Sequence, residues 1–135
     1  MLAARTRHPR RTRRAGFTLM ELMVVMAIIA SLLTLALPRY FHSVERSREA
    51  VLRQDLQVMR DAIDKFLADR GRYPITLDEL AEKRYLRQIP ADPVTESAAT
   101  WVVVSPPDGD SRESVYDVRS GAPGNGLDGE PYKNW

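Results

Sequence analysis

The chain has 135 residues, 44% of them hydrophobic and 28% charged, which leaves room for one small domain and an appendage. It contains no cysteine, so disulfides, thiol nucleophiles, iron–sulfur centres and cysteine-ligated zinc are excluded. Of the two histidines, His8 lies in an arginine-rich terminus, so a histidine-dependent metal site or catalytic triad would rest on His42 alone. Composition therefore disfavours an enzyme.

Positive charge is concentrated at the N-terminus. Six of the twenty basic residues lie in the first fourteen positions, where there is no acid: Arg5, Arg7, Arg10, Arg11, Arg13 and Arg14. The remainder holds 14 basic and 18 acidic side chains, and residues 71–135 alone hold seven basic against eleven acidic ones, a formal charge of −4 in each case. Because a nucleic-acid-binding domain keeps its basic side chains on its folded part, the sequence predicts no nucleic-acid partner.

An apolar segment runs from Phe17 to Leu37, with Glu21 as its only charge. As a helix its 21 residues span roughly 31 Å, about the thickness of the hydrocarbon core of a bilayer. A chain this short could hardly bury such a helix inside a soluble domain. The preceding arginines predict a cytoplasmic N-terminus and an outward-facing remainder. A secretory signal is the alternative, but Ala36-Leu37-Pro38 is a poor cleavage site.

The acid in this segment leads to a family. A carboxylate within the hydrocarbon costs about 2.5–3.5 kcal/mol, so Glu21 needs a partner or a function. A basic stretch ending in Gly16 is followed by Phe17-Thr18-Leu19-Met20-Glu21 and the apolar run. This pattern resembles the class III signal of type IV pilins and type II secretion pseudopilins.

The resemblance implies that a prepilin peptidase removes residues 1–16 by cutting after Gly16 and then methylates the amine of Phe17. It also implies that Glu21 neutralises that amine on a neighbouring subunit during assembly, a pairing that suits two charges in a low-dielectric setting. The alternative for Glu21 is a carboxylate that reaches the membrane interface. Pro38 matches a proline common in the family, or it marks the membrane exit.

Residues 38–70 have the pattern of an amphipathic helix. Apolar residues recur three, four or seven positions apart, with charged residues between them: Val44, Val51, Leu52, Leu56, Met59, Ile63, Phe66 and Leu67. The face is one-sided and its spacing drifts, which favours packing on a head domain over a coiled coil. Gly71 is the expected C-terminal cap, so the helix is predicted from Phe17 to Arg70.

Residues 71–135 are predicted to form a small head. Thr76 and Glu79 have the spacing of a capping box, which predicts a short helix to about Arg84. Strands are predicted at 101–104 and 114–118, with a turn at 106–110 between them. The fold class is therefore α+β: a long N-terminal helix, with a membrane half at 17–37 and an amphipathic half at 38–70, packed against a small antiparallel sheet. Gly71-Arg72-Tyr73-Pro74 and the Leu-rich short helix look like the major pseudopilin branch.

The C-terminal loop, from Gly121 onward, is too long to stand unsupported. Related pseudopilins hold a calcium ion there, and the resemblance implies Ser120, Asn125 and Asp128 as ligands, with Glu130 and Asp117 as further oxygen donors. The sequence departs from the family pattern because Pro123 stands where an aspartate is usual. The alternative is a loop held by packing of Tyr132 and Trp135 on the head.

These observations predict a non-enzymatic pseudopilin subunit of a type II secretion system. It would be a single-pass inner-membrane protein with a cytoplasmic N-terminus and a periplasmic head. It would form a short periplasmic pseudopilus with copies of itself and other pseudopilins, on an inner-membrane assembly platform, to drive protein export. The alternative is a minor pilin of a type IV pilus, acting in adhesion, motility or DNA uptake. The lack of cysteine favours secretion, because many pilus subunits close their C-terminal loop with a disulfide.

Overall fold

The computed structural model describes residues 15–108 and 113–135. In chain order the elements are helix α1 (Leu19–Arg70), helix α2 (Leu77–Glu82), strands β1 (Val102–Val104) and β2 (Asp117–Arg119), and a 3-10 helix (Tyr132–Asn134). The chain divides between Arg39 and Tyr40 into two compact units. Residues 1–14 of the predicted leader lie outside the described residues. So do residues 109 and 110 of the predicted 106–110 turn.

Helix α1 begins two residues later than the sequence predicts, because Thr18 caps it. The Thr18 hydroxyl accepts a hydrogen bond from the Glu21 backbone N–H at 3.1 Å, and the Thr18 carbonyl accepts one from the Leu22 N–H at 3.2 Å. A threonine side chain in this position satisfies an N–H that has no partner within the helix. Glu21 consequently lies in the first helical turn.

The core of the second unit lies between one face of α1 and the head. The buried α1 residues recur at helical spacing: Leu52, Leu56, Met59, Ala62, Ile63 and Phe66. From the head they meet Leu80, Leu86, Trp101, Val115, Val118 and Trp135. The predicted α+β class is confirmed. The buried face is shorter than predicted, since Val51 is half exposed and burial begins at Leu52.

The sheet has two antiparallel strands, in which Val103 pairs with Val118 and Val104 with Asp117. The second strand lies later than the predicted 114–118. The cause is the Val115 N–H, which donates to the Pro74 carbonyl at 2.7 Å and so joins this segment to the turn after α1. The side chain of Arg60 ties α1 to β2, since its Nε donates to the Asp117 carboxylate at 2.8 Å.

Helix α2 has the predicted Thr76 cap, with the Thr76 hydroxyl accepting from the Glu79 N–H at 3.3 Å. The other half of the capping box differs, because the Glu79 carboxylate accepts from the Ile75 N–H at 2.8 Å and pairs with Arg72 at 2.6 Å. The Arg72 hydrogen bond, followed by the Ile75 N–H, lowers the pKa of Glu79. The helix ends before Arg84, whose φ of 65° is left-handed.

Candidate processing and assembly site

The predicted cleavage junction lies just before α1. Gly16 and Phe17 have no helical structure, and Phe17 is 88% exposed. A Cβ added at Gly16 would meet no atom within 4 Å, and the backbone there does not have a positive φ. Neither the backbone conformation nor packing against the described residues therefore requires glycine at position 16. A requirement for glycine would come from another protein that binds the junction.

Glu21 is exposed in the first turn of α1. A carboxylate there is stabilised by the positive end of the helix dipole, typically by about 0.3–1 kcal/mol. Within residues 15–108 and 113–135, no ion pair is formed by this carboxylate. Glu21 is thus an exposed carboxylate at the edge of an apolar segment, without an ion-pair partner among the described residues.

The apolar segment that follows has the length and composition to cross a membrane. All its large apolar side chains from Leu19 to Leu37 are between 45% and 76% exposed. Its hydroxyls are satisfied within the helix, since Ser31 donates to the Ala27 carbonyl and Thr34 to the Ala30 carbonyl, both at 2.9 Å. This surface suits a lipid environment or other apolar helices, because no hydroxyl needs water.

A shallow groove runs along this segment. Its walls are apolar and its floor includes two small residues one helical turn apart, Ala27 and Ser31. The lining residues are Val24, Ala27, Ile28, Ser31 and Leu32. Small residues at this spacing allow the backbone of a second helix to approach closely. Close packing of membrane helices around the small residues Ala27, Ala30, Ser31 and Thr34 is a prediction that the structure of one chain does not test.

Two of the three predicted calcium ligands, Ser120 and Asp128, already have side-chain partners. Ser120 is fully buried, and its hydroxyl donates to the Asp92 carboxylate at 2.6 Å and accepts from the Ala122 N–H at 3.1 Å. Asp128 pairs with the guanidinium of Arg53 at 2.9 Å. Asn125 forms an isolated backbone bridge with Pro131.

This donor set does not fit a calcium ion as it stands. Calcium takes six to eight oxygen ligands, including carboxylates. Within the described ranges, no group of three or more Asp, Glu or His side chains is placed to hold a metal. The carboxylate of Asp128 also faces a fixed positive charge. Calcium binding by Ser120, Asn125 and Asp128 stays a prediction of the family resemblance.

Sequence reasoning missed three residues that organise the C-terminal loop: Asp92, Glu49 and Arg53. Asp92 is fully buried and its carboxylate accepts from the Val94 N–H at 2.8 Å and the Thr95 N–H at 3.4 Å. Its position in Pro90-Ala91-Asp92-Pro93 favours such a turn and could have indicated it. Glu49 and Arg53 lie among many charged residues of α1, and no local sequence signal distinguishes them from their solvated neighbours.

Comparisons with known proteins agree with the resemblance to pilins and pseudopilins. The family described as "Prokaryotic N-terminal methylation motif" matches residues 11–37. Type II secretion system core protein G of Escherichia coli K12 is 28% identical over 89% of this chain and 90% of the relative. The proteins of the same name from Aeromonas hydrophila and Klebsiella pneumoniae are each 31% identical over 60% of this chain, and the match covers 68% and 69% of them. No solved structure matches.

The motif, the uncovered apolar helix and the α+β head define a pilin-like protein with a prepilin-type N-terminus. The curated relatives narrow this class, since they are core proteins of type II secretion. The chain belongs to the family of type II secretion system core protein G, and it is a pseudopilin. The type IV pilus alternative is not favoured.

Proposed function

We propose that the chain is made as a precursor, cut after Gly16 by a prepilin peptidase, methylated at Phe17, and assembled into a short periplasmic filament that drives export. Assembly would involve copies of the chain, related pseudopilins and an inner-membrane platform. The leader would stay in the cytoplasm and the head would lie in the periplasm, because basic flanks remain on the cytoplasmic side. Its role is structural and not enzymatic.

One observation carries the proposal: Glu21 is the single charged side chain in an apolar segment that residues 15–108 and 113–135 leave exposed. Removal of the leader creates a positive amine at Phe17, four residues before Glu21. An amine and a carboxylate that both enter hydrocarbon are costly alone and less costly as a pair. Pairing between neighbouring subunits would set the stagger of one helix against the next.

The groove beside Ala27 and Ser31 supports close packing of these helices. Ala27 has a small side chain, and the Ser31 hydroxyl is already bonded to its own helix. Packing there therefore needs no new polar partner and depends on van der Waals contact. In the assembled filament we expect Ala27 of one subunit to lie close to a neighbouring helix.

Cysteine crosslinking tests this assembly, because the chain has no cysteine of its own. The pairing of Phe17 with Glu21 offsets neighbouring helices by four residues, which sets Ala27 of one subunit level with Ser31 of the next. Ala27→Cys and Ser31→Cys variants produced together in native membranes should therefore form disulfide-linked dimers on mild oxidation. Adding Glu21→Ala should reduce the crosslinked fraction by about tenfold, while the chain stays in the membrane after alkaline extraction. The size of this loss reflects one buried charge pair, for which removal of a partner is strongly destabilising.

Asp64→Ala is the matched control, since Asp64 is an exposed acid on the same helix but far along it from the apolar segment. It should leave crosslinking at the level of the Ala27→Cys and Ser31→Cys pair alone. Full crosslinking in the Glu21→Ala background would refute the assembly role of Glu21. Loss of the Glu21→Ala chain from the membrane would assign Glu21 to insertion instead.

A further inference from the structure

The C-terminal loop is attached to α1 by two side chains that lie one helical turn apart. Glu49 contributes one carboxylate oxygen, which accepts a hydrogen bond from the Leu127 N–H at 2.6 Å and another from the Tyr132 hydroxyl at 3.1 Å. Both donors belong to the loop. A single helix residue therefore fixes the loop backbone and one of its aromatic rings at the same point.

Arg53 provides the second attachment. Its guanidinium lies 3.8 Å from the centre of the Trp135 ring, and its Nη2 is 2.9 Å from the Asp128 carboxylate. An exposed ion pair contributes little alone, but a guanidinium that also stacks on an indole adds a cation–π contact and restricts its own motion. Trp135 is itself buried in the core and packs edge-on to Tyr132 at 5.1 Å.

The loop is shaped to fit these side chains closely. Its tip is a tight turn in which the Gly129 N–H donates to the Gly126 carbonyl at 2.9 Å, with a positive φ at Gly129. A Cβ at Gly126 would lie 2.5 Å from the Trp135 ring, 2.9 Å from the Asp128 carboxylate and 3.3 Å from the Glu49 carboxylate. No side chain fits at position 126 while both attachments are in place.

The Arg53 attachment competes with a metal ion for the carboxylate oxygens of Asp128. One Asp128 oxygen is bonded to Arg53 and the other accepts from the Glu130 N–H at 3.0 Å. The fixed positive charge of Arg53 beside this carboxylate opposes a divalent cation. Ser120 is another predicted calcium ligand. Its hydroxyl already donates a hydrogen bond to the buried carboxylate of Asp92.

We infer that the C-terminal loop of this chain is held by an intramolecular latch, defined as the contacts of Glu49 and Arg53 with residues 126–135. This latch takes the place of a bound calcium ion. The inference concerns how the head is stabilised and does not depend on the proposed filament role. The family resemblance implied a calcium ion at this loop. The arginine latch makes the loop stable without calcium.

Hydrogen exchange of the full-length protein in detergent micelles tests the latch directly. The amides of residues 121–130 are followed in calcium chloride and in excess chelator, and the melting temperature is recorded in both. Chelator should leave loop exchange unchanged and shift the melting temperature by less than about 1 °C. Arg53→Gln should accelerate loop exchange by roughly fivefold in both buffers, because it removes the ion pair and the stack together.

Arg46→Gln is the matched control, since Arg46 is an exposed arginine two turns earlier on α1. It should exchange like the wild type. Exchange within residues 56–66 of α1 reports whether Arg53→Gln remains folded. The inference is overturned if chelator accelerates loop exchange in the wild type and calcium reverses it, or if a folded Arg53→Gln chain keeps wild-type loop exchange.

Discussion

Ser120 donates its hydroxyl proton to the carboxylate of Asp92, 28 positions earlier in the chain, across a 2.6 Å hydrogen bond that is buried completely. This bond joins the end of β2 to the turn that precedes β1. Asp92 also holds its own turn, since its carbonyl accepts from the Glu96 N–H at 2.7 Å and its N–H donates to the Ser97 carbonyl at 3.0 Å. The Ser120–Asp92 hydrogen bond therefore connects two irregular segments of the head.

Removing the Ser120 hydroxyl should destabilise the head. Ser120→Ala leaves a buried carboxylate oxygen without its donor, which costs about 1–3 kcal/mol of unfolding free energy. Chemical denaturation of the full chain in detergent measures this loss. Ser47→Ala is the control, because the Ser47 hydroxyl is exposed and bonds only the Ser43 carbonyl on its own helix. Equal stability of Ser120→Ala and wild type would show that the buried bond is not required.

Gly121 should tolerate no side chain. A Cβ there would overlap the Thr100 carbonyl oxygen, a backbone atom beside β1. Gly121→Ala therefore forces the backbone apart and is expected to cost about 1–3 kcal/mol. Gly16→Ala in the same unprocessed chain is the matched control, since a Cβ at Gly16 meets nothing within 4 Å. An unchanged denaturation midpoint for Gly121→Ala would contradict the close approach of Gly121 to the Thr100 carbonyl.

The Asp55 carboxyl gives the head a defined pH dependence. Burial raises the pKa of Asp55 above its ordinary value of 3.8, and the charge of Asp92 raises it further. The folded state then binds this proton more tightly than the unfolded state, so the contribution of Asp55 to stability is unfavourable at pH 7 and improves as pH falls through the raised pKa.

Asp55→Asn removes this penalty. The variant should melt at a higher temperature than wild type at pH 7, and the difference should shrink as the pH falls through the raised pKa of Asp55. Melting curves of both chains across that interval provide the measurement. Asp64→Asn, at an exposed position of α1, should show no such trend. A lower melting temperature for Asp55→Asn at pH 7 would contradict the unfavourable charge.

Gly16→Val should block processing without disturbing the fold. Among the described residues, position 16 has open space, so we expect an effect of valine to arise at the peptidase. We expect the processed fraction to fall on the order of tenfold or more, as when a close-fitting enzyme site meets a larger side chain. Gel mobility of the membrane-bound chain measures it, with Ala15→Val as a neighbouring control. Normal processing of Gly16→Val would refute the junction.

The sequence alone predicted the long helix and its two halves because their signals are local and long. A run of apolar residues and an amphipathic repeat each extend over many turns, and tertiary contacts do not override them. The cap at Thr18 shows the limit of such prediction. Thr18 and Glu21 have the spacing of a capping box, but the family motif assigns Glu21 to assembly. The local hydrogen bond between the Glu21 N–H and Thr18 was therefore not predicted.

The head was harder to predict because its contacts are non-local. Val115 pairs with Pro74, 41 positions away, and so the second strand begins at Asp117. The loop attachments at Glu49 and Arg53 lie more than 70 positions from their partners. No spacing rule connects such residues, so these attachments could not be predicted from the sequence.

The intact mass and first residue of the protein, purified from its native membrane, test the central claim most directly. A chain that begins with methylated Phe17 is the predicted result, since it requires both the cut after Gly16 and retention of the apolar segment. A chain that begins at Met1, or one that begins after the apolar segment near Pro38, would contradict prepilin processing and leave an ordinary anchored or secreted protein.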